Sequence, residues 1–178
     1  MTTAPPDMPE GLLEQVVSAL GECDGGDDAP LAAPFAKHLS DCLSLAWLEV
    51  GDDRLGVTKF EGGHNEMFRL RRLGLPPGEI EILLNPVLVE DKALYRHTLA
   101  HEILHAAGLL EHDDAHERMV DSIAPSPSIE DSPLLQKLRS QVLDEMSRKE
   151  WLCQNCGFTY ARKTVRKPLR CPKCARKL

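Results

Sequence analysis

Residues 101–105 read His-Glu-Ile-Leu-His, and this pentapeptide constrains the local fold more than any other part of the 178-residue chain. On an α-helix, residues four apart lie one turn apart along the axis and roughly 40° apart around it. His101 and His105 therefore share one face, and Glu102 flanks that face. Two neutral imidazoles placed in this way can bind one divalent ion, and Zn2+ suits them best. The pattern is typical of the active-site helix of zinc metallopeptidases.

The neighbouring residues favour a helix that ends soon after the second histidine. Leu94, Thr98 and Leu99 lead into the motif without a helix breaker, and Gly108 is a natural stop. The alternative interpretation keeps the helix but makes its histidines ordinary surface or core residues. In the metal-binding interpretation, Glu102 is the catalytic residue and takes a proton from a water on the metal.

A catalytic zinc site needs a third protein ligand and an open position. Two histidines follow the helix, His112 and His116. Asp113 and Asp114 suit the first turn of a new helix, so His112 lies at its cap, beside the chain reversal. His116 lies one turn inside, where it can also serve as a packing residue. We favour His112 as the third ligand and keep His116 as the alternative.

Four cysteines form a second metal-binding pattern near the C-terminus. Cys153 and Cys156 make one CxxC pair, Cys171 and Cys174 make another, and fourteen residues separate the pairs. Two such pairs complete a tetrahedral shell of thiolates, which leaves no open position and is therefore a structural zinc site. Residues 150–178 are too few to bury a core, so metal binding is expected to drive their folding. Disulfide bonding of the same cysteines is the alternative.

Charge is divided unevenly along the chain. The net charge is −7, yet residues 147–178 contain ten of the 21 Lys and Arg and a single acidic residue. This segment has a net charge of about +9, and the rest of the chain about −16. Five basic residues that lie between the two CxxC pairs suit phosphate backbones, and we predict contact with DNA through them. They are Arg162, Lys163, Arg166, Lys167 and Arg170. The alternative is a solvated basic face that keeps a small domain soluble or docks on the acidic part of the chain.

Composition suits a small globular enzyme with a zinc-binding appendage. Hydrophobic residues make up 42% of the chain and aromatic residues 4%, so the core must be mostly aliphatic. No apolar run is long enough for a membrane span, and residues 1–10 have no signal-peptide pattern, so we expect a cytoplasmic protein with no membrane contact. The oligomeric state is not predicted.

Periodicity and turn residues predict the order of the elements. Helices are predicted at 11–20, 31–46 and 134–149, in addition to the metal-binding helix, and strands at 47–50, 56–60, 68–72 and 79–84. Residues 158–160 and 164–165 contain the strand formers of a hairpin between the CxxC pairs. Residues 124–133, rich in Pro and Ser, are predicted to be a linker.

Taken together, these motifs resemble the SprT-like family of zinc metalloproteases. The resemblance rests on the strand that ends at Leu84-Asn85-Pro86, the helix with His101, Glu102 and His105, a following histidine and the C-terminal CxxC pairs. Gly56-Val57-Thr58 is similar to a glycine-containing strand of that family. The family includes Spartan, which cuts proteins crosslinked to DNA.

The resemblance implies an α+β, zincin-like protease domain followed by a small β zinc ribbon. It implies a zinc-dependent endopeptidase with one catalytic and one structural Zn2+, acting on protein substrates bound or crosslinked to DNA. The strand at 79–84 is expected to border the cleft and pair with an extended substrate. An adaptor that binds nucleic acid without proteolysis and a hydrolase of a non-protein substrate are the alternatives. The predicted domains are residues 1–30 (helix and acidic loop), 31–123 (protease core), 124–149 (linker and helix) and 150–178 (zinc ribbon).

Overall fold

A three-stranded mixed sheet and the long helix packed on it form the centre of the larger of two units. The computed structural model describes residues 4–22, 33–145, 150–161 and 168–178, with every side chain in them except those of His64 and Glu145. The chain divides into two compact units, Met1–Pro127 and Ser128–Leu178. The described residues form an α+β protein, as predicted.

The larger unit contains five helices and three strands in the residues described. They are α1 (Leu12–Glu22), α2 (Leu39–Cys42), β1 (Leu43–Trp47), β2 (Gly56–Phe60), α3 (Gly63–Leu73), β3 (Ile80–Leu84), α4 (Lys92–Ala106) and α5 (Asp114–Ile123). Short 3-10 turns at Ala36–His38 and Pro86–Glu90 precede α2 and α4. The described part of the smaller unit contains α6 (Pro133–Glu145), β4 (Glu150–Leu152) and β5 (Thr159–Ala161).

β3 is the middle strand of the sheet. It pairs in parallel with β1, with Leu43 opposite Ile80, and antiparallel with β2, with Gly56 opposite Leu84. Both of its hydrogen-bonding edges are therefore occupied, and four of its five residues are buried. The prediction that residues 79–84 pair with substrate is wrong for this reason, because only a strand at the edge of a sheet has free backbone groups.

α4 packs across β2 and β3 and supplies much of the core. Its residues Leu99, Ile103 and Leu104 are fully buried, as are Ile80 and Ile82 of β3. The Asp91 side chain caps the helix by accepting a hydrogen bond from the Leu94 amide at 3.0 Å. The helix ends just before Gly108, whose φ of 101° strongly favours glycine. The predicted helix through His101 and His105 and its stop at Gly108 are thus confirmed.

Three predicted elements are wrong because tertiary contacts override local pattern. In place of the helix predicted at 31–46, the described residues form a 3-10 turn at Ala36–His38 and α2 at Leu39–Cys42, since residues 43–47 pair with β3 as strand β1. The strand predicted at 47–50 shares only Trp47 with β1. The strand predicted at 68–72 belongs to helix α3, where Met67 is buried and Phe68 is 46% exposed. Gly74 ends α3 in a left-handed conformation.

The remaining predicted elements agree with the structure within a few residues. The helix predicted at 11–20 corresponds to α1, and the strands predicted at 56–60 and 79–84 correspond to β2 and β3. The helix predicted at 134–149 corresponds to α6 up to Glu145. Residues 164–165 of the predicted hairpin lie outside the described residues. No helix in the described part of the chain is long and apolar enough to cross a membrane.

Candidate metal centres

Three histidine side chains converge beside the C-terminal half of α4. The Nε2 atoms of His101 and His105 lie 3.0 Å apart, and the Nε2 atom of His112 lies 3.2 Å from the first and 3.0 Å from the second. A tetrahedral zinc ion with Zn–N distances of about 2.0–2.1 Å separates its ligand nitrogens by roughly 3.3–3.4 Å. The three nitrogens therefore fit a common ion with little adjustment.

The turn after α4 sets the orientation of the His105 ring. The Nδ1 atom of His105 lies 2.6 Å from the carbonyl oxygen of Leu109. A carbonyl only accepts hydrogen bonds, so Nδ1 must donate and carry the proton, which leaves the lone pair on Nε2 facing the other two rings. A backbone carbonyl that orients a histidine in this way is a common partner of metal-binding histidines.

Burial keeps these imidazoles neutral. Burial, together with the neighbouring rings of His105, His116 and His112, lowers the pKa of His101 to about 3. Burial also lowers the pKa of His105, against the opposing effect of its hydrogen bond to Leu109. Neutral imidazole is the form that binds metals, so at neutral pH these two side chains are ready to act as ligands.

His116 is a fourth member of the same cluster. Its ring is fully buried, and its ligand atom lies within 4.8 Å of those of His101 and His105. The ring centroid of His116 is 4.6 Å from that of His101 and 4.7 Å from that of His105. The predicted third ligand, His112, and its alternative, His116, thus both lie at the centre that His101 and His105 form.

Glu102 is held against β2 on the flank of the histidine cluster. Its side chain is only 6% exposed, and the Thr58 hydroxyl lies 2.8 Å from its Oε2 atom. Burial raises the pKa of Glu102, and the hydrogen bond from Thr58 partly opposes that effect. A buried carboxyl group with a raised pKa, adjacent to candidate metal ligands, suits a group that accepts and returns a proton.

Gly56 makes room for Glu102. A Cβ atom at this position would lie 2.7 Å from Oε1 and 2.8 Å from Cγ of Glu102, and 2.9 Å from Cγ2 of Thr98. These distances are shorter than carbon atoms tolerate, so β2 can approach α4 this closely only without a side chain. A glycine in a predicted strand often marks such a close approach, and Gly56 is the sequence signal for this contact.

We expect Gly56→Ala to displace the Glu102 carboxyl group while the fold is kept. Overpacking of this kind costs about 1–3 kcal/mol of unfolding free energy. For the catalytic role predicted for Glu102, a shift of about 1 Å is expected to lower the rate by about 10²-fold. Thermal unfolding and polypeptide hydrolysis measure the two effects. Gly21→Ala is the matched control, because nothing lies within 4 Å of its added Cβ; equal activity of both variants would contradict the role of Gly56.

The four cysteines of the smaller unit form a second cluster. The Sγ atoms of Cys153 and Cys174 lie 3.7 Å apart, and those of Cys156 and Cys171 lie 3.8 Å apart. A tetrahedral Zn–S4 site with bonds of about 2.3 Å separates its sulfurs by roughly 3.8 Å, whereas a disulfide bond is about 2.05 Å long. The predicted set of cysteines is therefore brought together in a geometry that fits a metal ion, and all four are free thiols.

The thiolates of this cluster would repel one another unless a cation balanced their charge. Desolvation opposes ionisation of Cys153, but the backbone amides of Cys156 and Asn155 prevail and lower its pKa to about 6. For Cys156, the Phe158 amide favours the thiolate, yet desolvation and the adjacent sulfurs raise its pKa to about 12. One thiolate forms easily and the next is opposed, so four thiolates together need a bound cation to balance their charge.

Of the five basic residues predicted to contact DNA, four lie outside the described residues and only Arg170 lies within them. Arg170 donates a hydrogen bond to the Ala175 carbonyl at 3.2 Å. Nearby, Phe158 and Tyr160 stack at a centroid distance of 6.0 Å, and the Lys173 ammonium lies 5.5 Å from the Phe158 ring centre. The predicted DNA contact therefore stays a prediction.

Comparison of the chain with protein-family models, with curated proteins and with solved structures finds no match. The resemblance to SprT-like proteases, which rests on sequence motifs, stays a hypothesis.

Proposed function

We propose that this protein is a zinc-dependent endopeptidase that acts on proteins bound or crosslinked to DNA. The observation that carries the proposal is the convergence of the His101, His105 and His112 Nε2 atoms within 3.2 Å of one another, beside the buried carboxyl group of Glu102. Three imidazoles and an adjacent carboxylate are the donor set of a hydrolytic zinc centre. The SprT-like motifs of the sequence support the same proposal.

The chemistry is divided between the ion and the protein. When bound, a zinc ion at the three imidazoles supplies a Lewis acid that polarises a carbonyl group and lowers the pKa of water. Glu102 accepts the proton of the attacking water and returns it to the leaving amine. Thr58 holds the Glu102 carboxyl group through the 2.8 Å hydrogen bond and so fixes its position against β2.

The substrate backbone is proposed to pair with the outer edge of β2. Within the described residues β2 pairs only with β3, so its opposite edge carries no strand. Through Gly56 and Thr58 the same strand contacts Glu102 directly. An extended polypeptide added to this edge would pass close to the histidine cluster, and strand addition needs no particular substrate sequence because it uses backbone groups.

The basic residues of the C-terminal ribbon are proposed to recruit the enzyme to DNA. We expect the paired change Lys167→Gln and Arg170→Gln to reduce DNA affinity and to lower the slope of log affinity against log salt by about 1.4–1.8, because each lost phosphate contact removes about 0.7–0.9. Fluorescence anisotropy with a labelled oligonucleotide at several salt concentrations measures both quantities. Lys37→Gln with Arg118→Gln is the matched control; an equal effect of both pairs would contradict recruitment by the ribbon.

The direct test of the proposal uses the zinc-loaded full chain and an unfolded protein, supplied either free or crosslinked to an oligonucleotide. We expect cleavage of both and faster cleavage of the crosslinked form. No cleavage of either by a protein that holds two zinc ions would favour the alternative of a DNA-binding adaptor with two structural zinc sites. Hydrolysis of small amides or esters without polypeptide cleavage would favour a non-protein substrate.

A further inference from the structure

The histidine cluster contains one imidazole more than a three-histidine centre needs. The rings of His101, His105, His112 and His116 surround a common point, and their six centroid separations lie between 4.6 and 5.6 Å. Four imidazoles bound to one tetrahedral ion at about 2.0–2.1 Å place their ring centroids roughly 5 Å apart. The four rings therefore lie around one point, and the ligand atom of His116 lies within 4.8 Å of those of His101 and His105.

The hydrogen bonding of His116 supplies an independent observation. Its side chain is fully buried, and neither Nδ1 nor Nε2 has a hydrogen-bond partner among the described residues. A buried polar atom without a partner costs about 1–3 kcal/mol, so native proteins rarely leave two on one ring. A metal ion bound by one of these nitrogens removes part of that cost, whereas a role in packing alone leaves the whole cost in place.

The two histidines of the loop and α5 are held very differently. The Asp113 side chain caps α5 by accepting a hydrogen bond from the His116 amide at 2.8 Å, so His116 is fixed to a helix with buried neighbours at Met119 and Val120. His112 precedes that cap and is exposed. His112 can therefore move away from the cluster without unwinding α5, and His116 cannot.

We propose that His116 is a fourth ligand of the metal centre, which is therefore closed at rest, and that the exposed His112 is the ligand that yields its position to substrate. This inference rests on the metal site of the proposed function and revises its ligand set, because the hydrolytic state would keep His101, His105 and His116 and leave the position of His112 open. A four-coordinate site without an open position holds its ion but performs no hydrolysis. Hydrolysis would then require that His112 leave the ion when a polypeptide binds along β2. This requirement would keep the protease inactive until substrate is bound.

The test counts bound imidazoles and does not depend on activity. The full chain is labelled with 15N at its seven histidines, and its ring nitrogen resonances are recorded as zinc is added. The cysteine cluster contributes no signal, because only histidines are labelled. We expect the ring resonances of His101, His105, His112 and His116 to change on zinc binding and those of His97 to stay. A change in only three of the four would overturn the proposal.

Two variants test whether His116 binds the ion or only fills space in the core, and whether His112 is the ligand that can be displaced. We expect His116→Leu, which keeps the buried volume, to weaken zinc binding about 10–100-fold, as measured by competition with a chelator; unchanged zinc affinity would mean that His116 only packs. His112→Ala should open a position that added imidazole occupies at least tenfold more tightly than in the wild type, and equal imidazole affinity would contradict the role of His112.

Failure of this inference and failure of the proposed function give different results. Four bound imidazoles without polypeptide cleavage would support the four-histidine metal centre and contradict the proposed protease function. Three bound imidazoles with polypeptide cleavage would support the proposed protease function and contradict the four-histidine metal centre. Thermal unfolding of each metal-free variant shows whether a loss of zinc affinity reflects a lost ligand or a lost fold.

Discussion

Replacement of Glu102 by glutamine is expected to slow polypeptide hydrolysis by about 10²–10⁴-fold, the usual contribution of a positioned general base. Glutamine has nearly the same shape as glutamate but cannot accept the proton of the attacking water. Its amide oxygen can still accept the hydrogen bond from Thr58, so the contact with β2 is kept. Zinc content and the midpoint of thermal unfolding should therefore stay close to those of the wild type.

The experiment measures the cleavage rate of an unfolded protein by wild-type and variant enzymes with equal zinc content. Glu81→Gln is the matched control, because it makes the same chemical change on an exposed residue of β3. We expect the control to cleave at the wild-type rate. Full activity of Glu102→Gln would show that another group takes the proton, and it would remove the mechanism proposed for this site.

The parts of the candidate site that depend on local spacing could be predicted from sequence. His101 and His105 lie on one face of α4 because any residues four apart do so on a helix. The two cysteines within each CxxC pair lie on one tight turn, as the hydrogen bonds from the Gly157 amide to the Cys153 carbonyl and from the Ala175 amide to the Cys171 carbonyl illustrate. Neither inference needs knowledge of the rest of the fold.

The parts that depend on distant contacts could not be predicted in the same way. The order of strands places β3 in the middle of the sheet, and nothing within residues 80–84 distinguishes a buried middle strand from a strand at the edge of a cleft. The contact of Gly56 with Glu102 joins residues that are far apart in sequence. Its only local sign is a glycine at the start of a strand.

The identity of the third histidine ligand is the feature of the site that sequence spacing predicts least well. His112 and His116 are four residues apart, and the sequence favours the first because it precedes a helix cap. The structure brings both rings to the cluster, because the turn at Gly108 directs the chain back over α4 and Asp113 starts α5 immediately afterwards. A choice between the two depends on the path of that turn, which spacing alone does not determine.

Replacement of Cys171 by serine is expected to remove one zinc ion per chain and to unfold residues 150–178. Structural zinc contributes an apparent binding free energy of about 10–16 kcal/mol to small zinc-dependent units at neutral pH. Cys171 is only 2% exposed, and its backbone amide is bonded to the Arg176 carbonyl at 2.8 Å, so loss of this ligand also destabilises the second CxxC turn. The two short strands β4 and β5 bury too little apolar surface to replace that contribution.

Zinc content by mass spectrometry and the dispersion of amide resonances by NMR measure the two effects. Cys42→Ser is the matched control, because this cysteine lies in α2 and does not belong to the described cysteine cluster. We expect the control to keep two zinc ions, and we expect Cys171→Ser to keep one zinc ion with a folded Met1–Pro127 unit. One zinc ion with a dispersed ribbon spectrum in Cys171→Ser would show that the ribbon folds without its metal. Two zinc ions in this variant would show that Cys171 is not needed to hold the second ion.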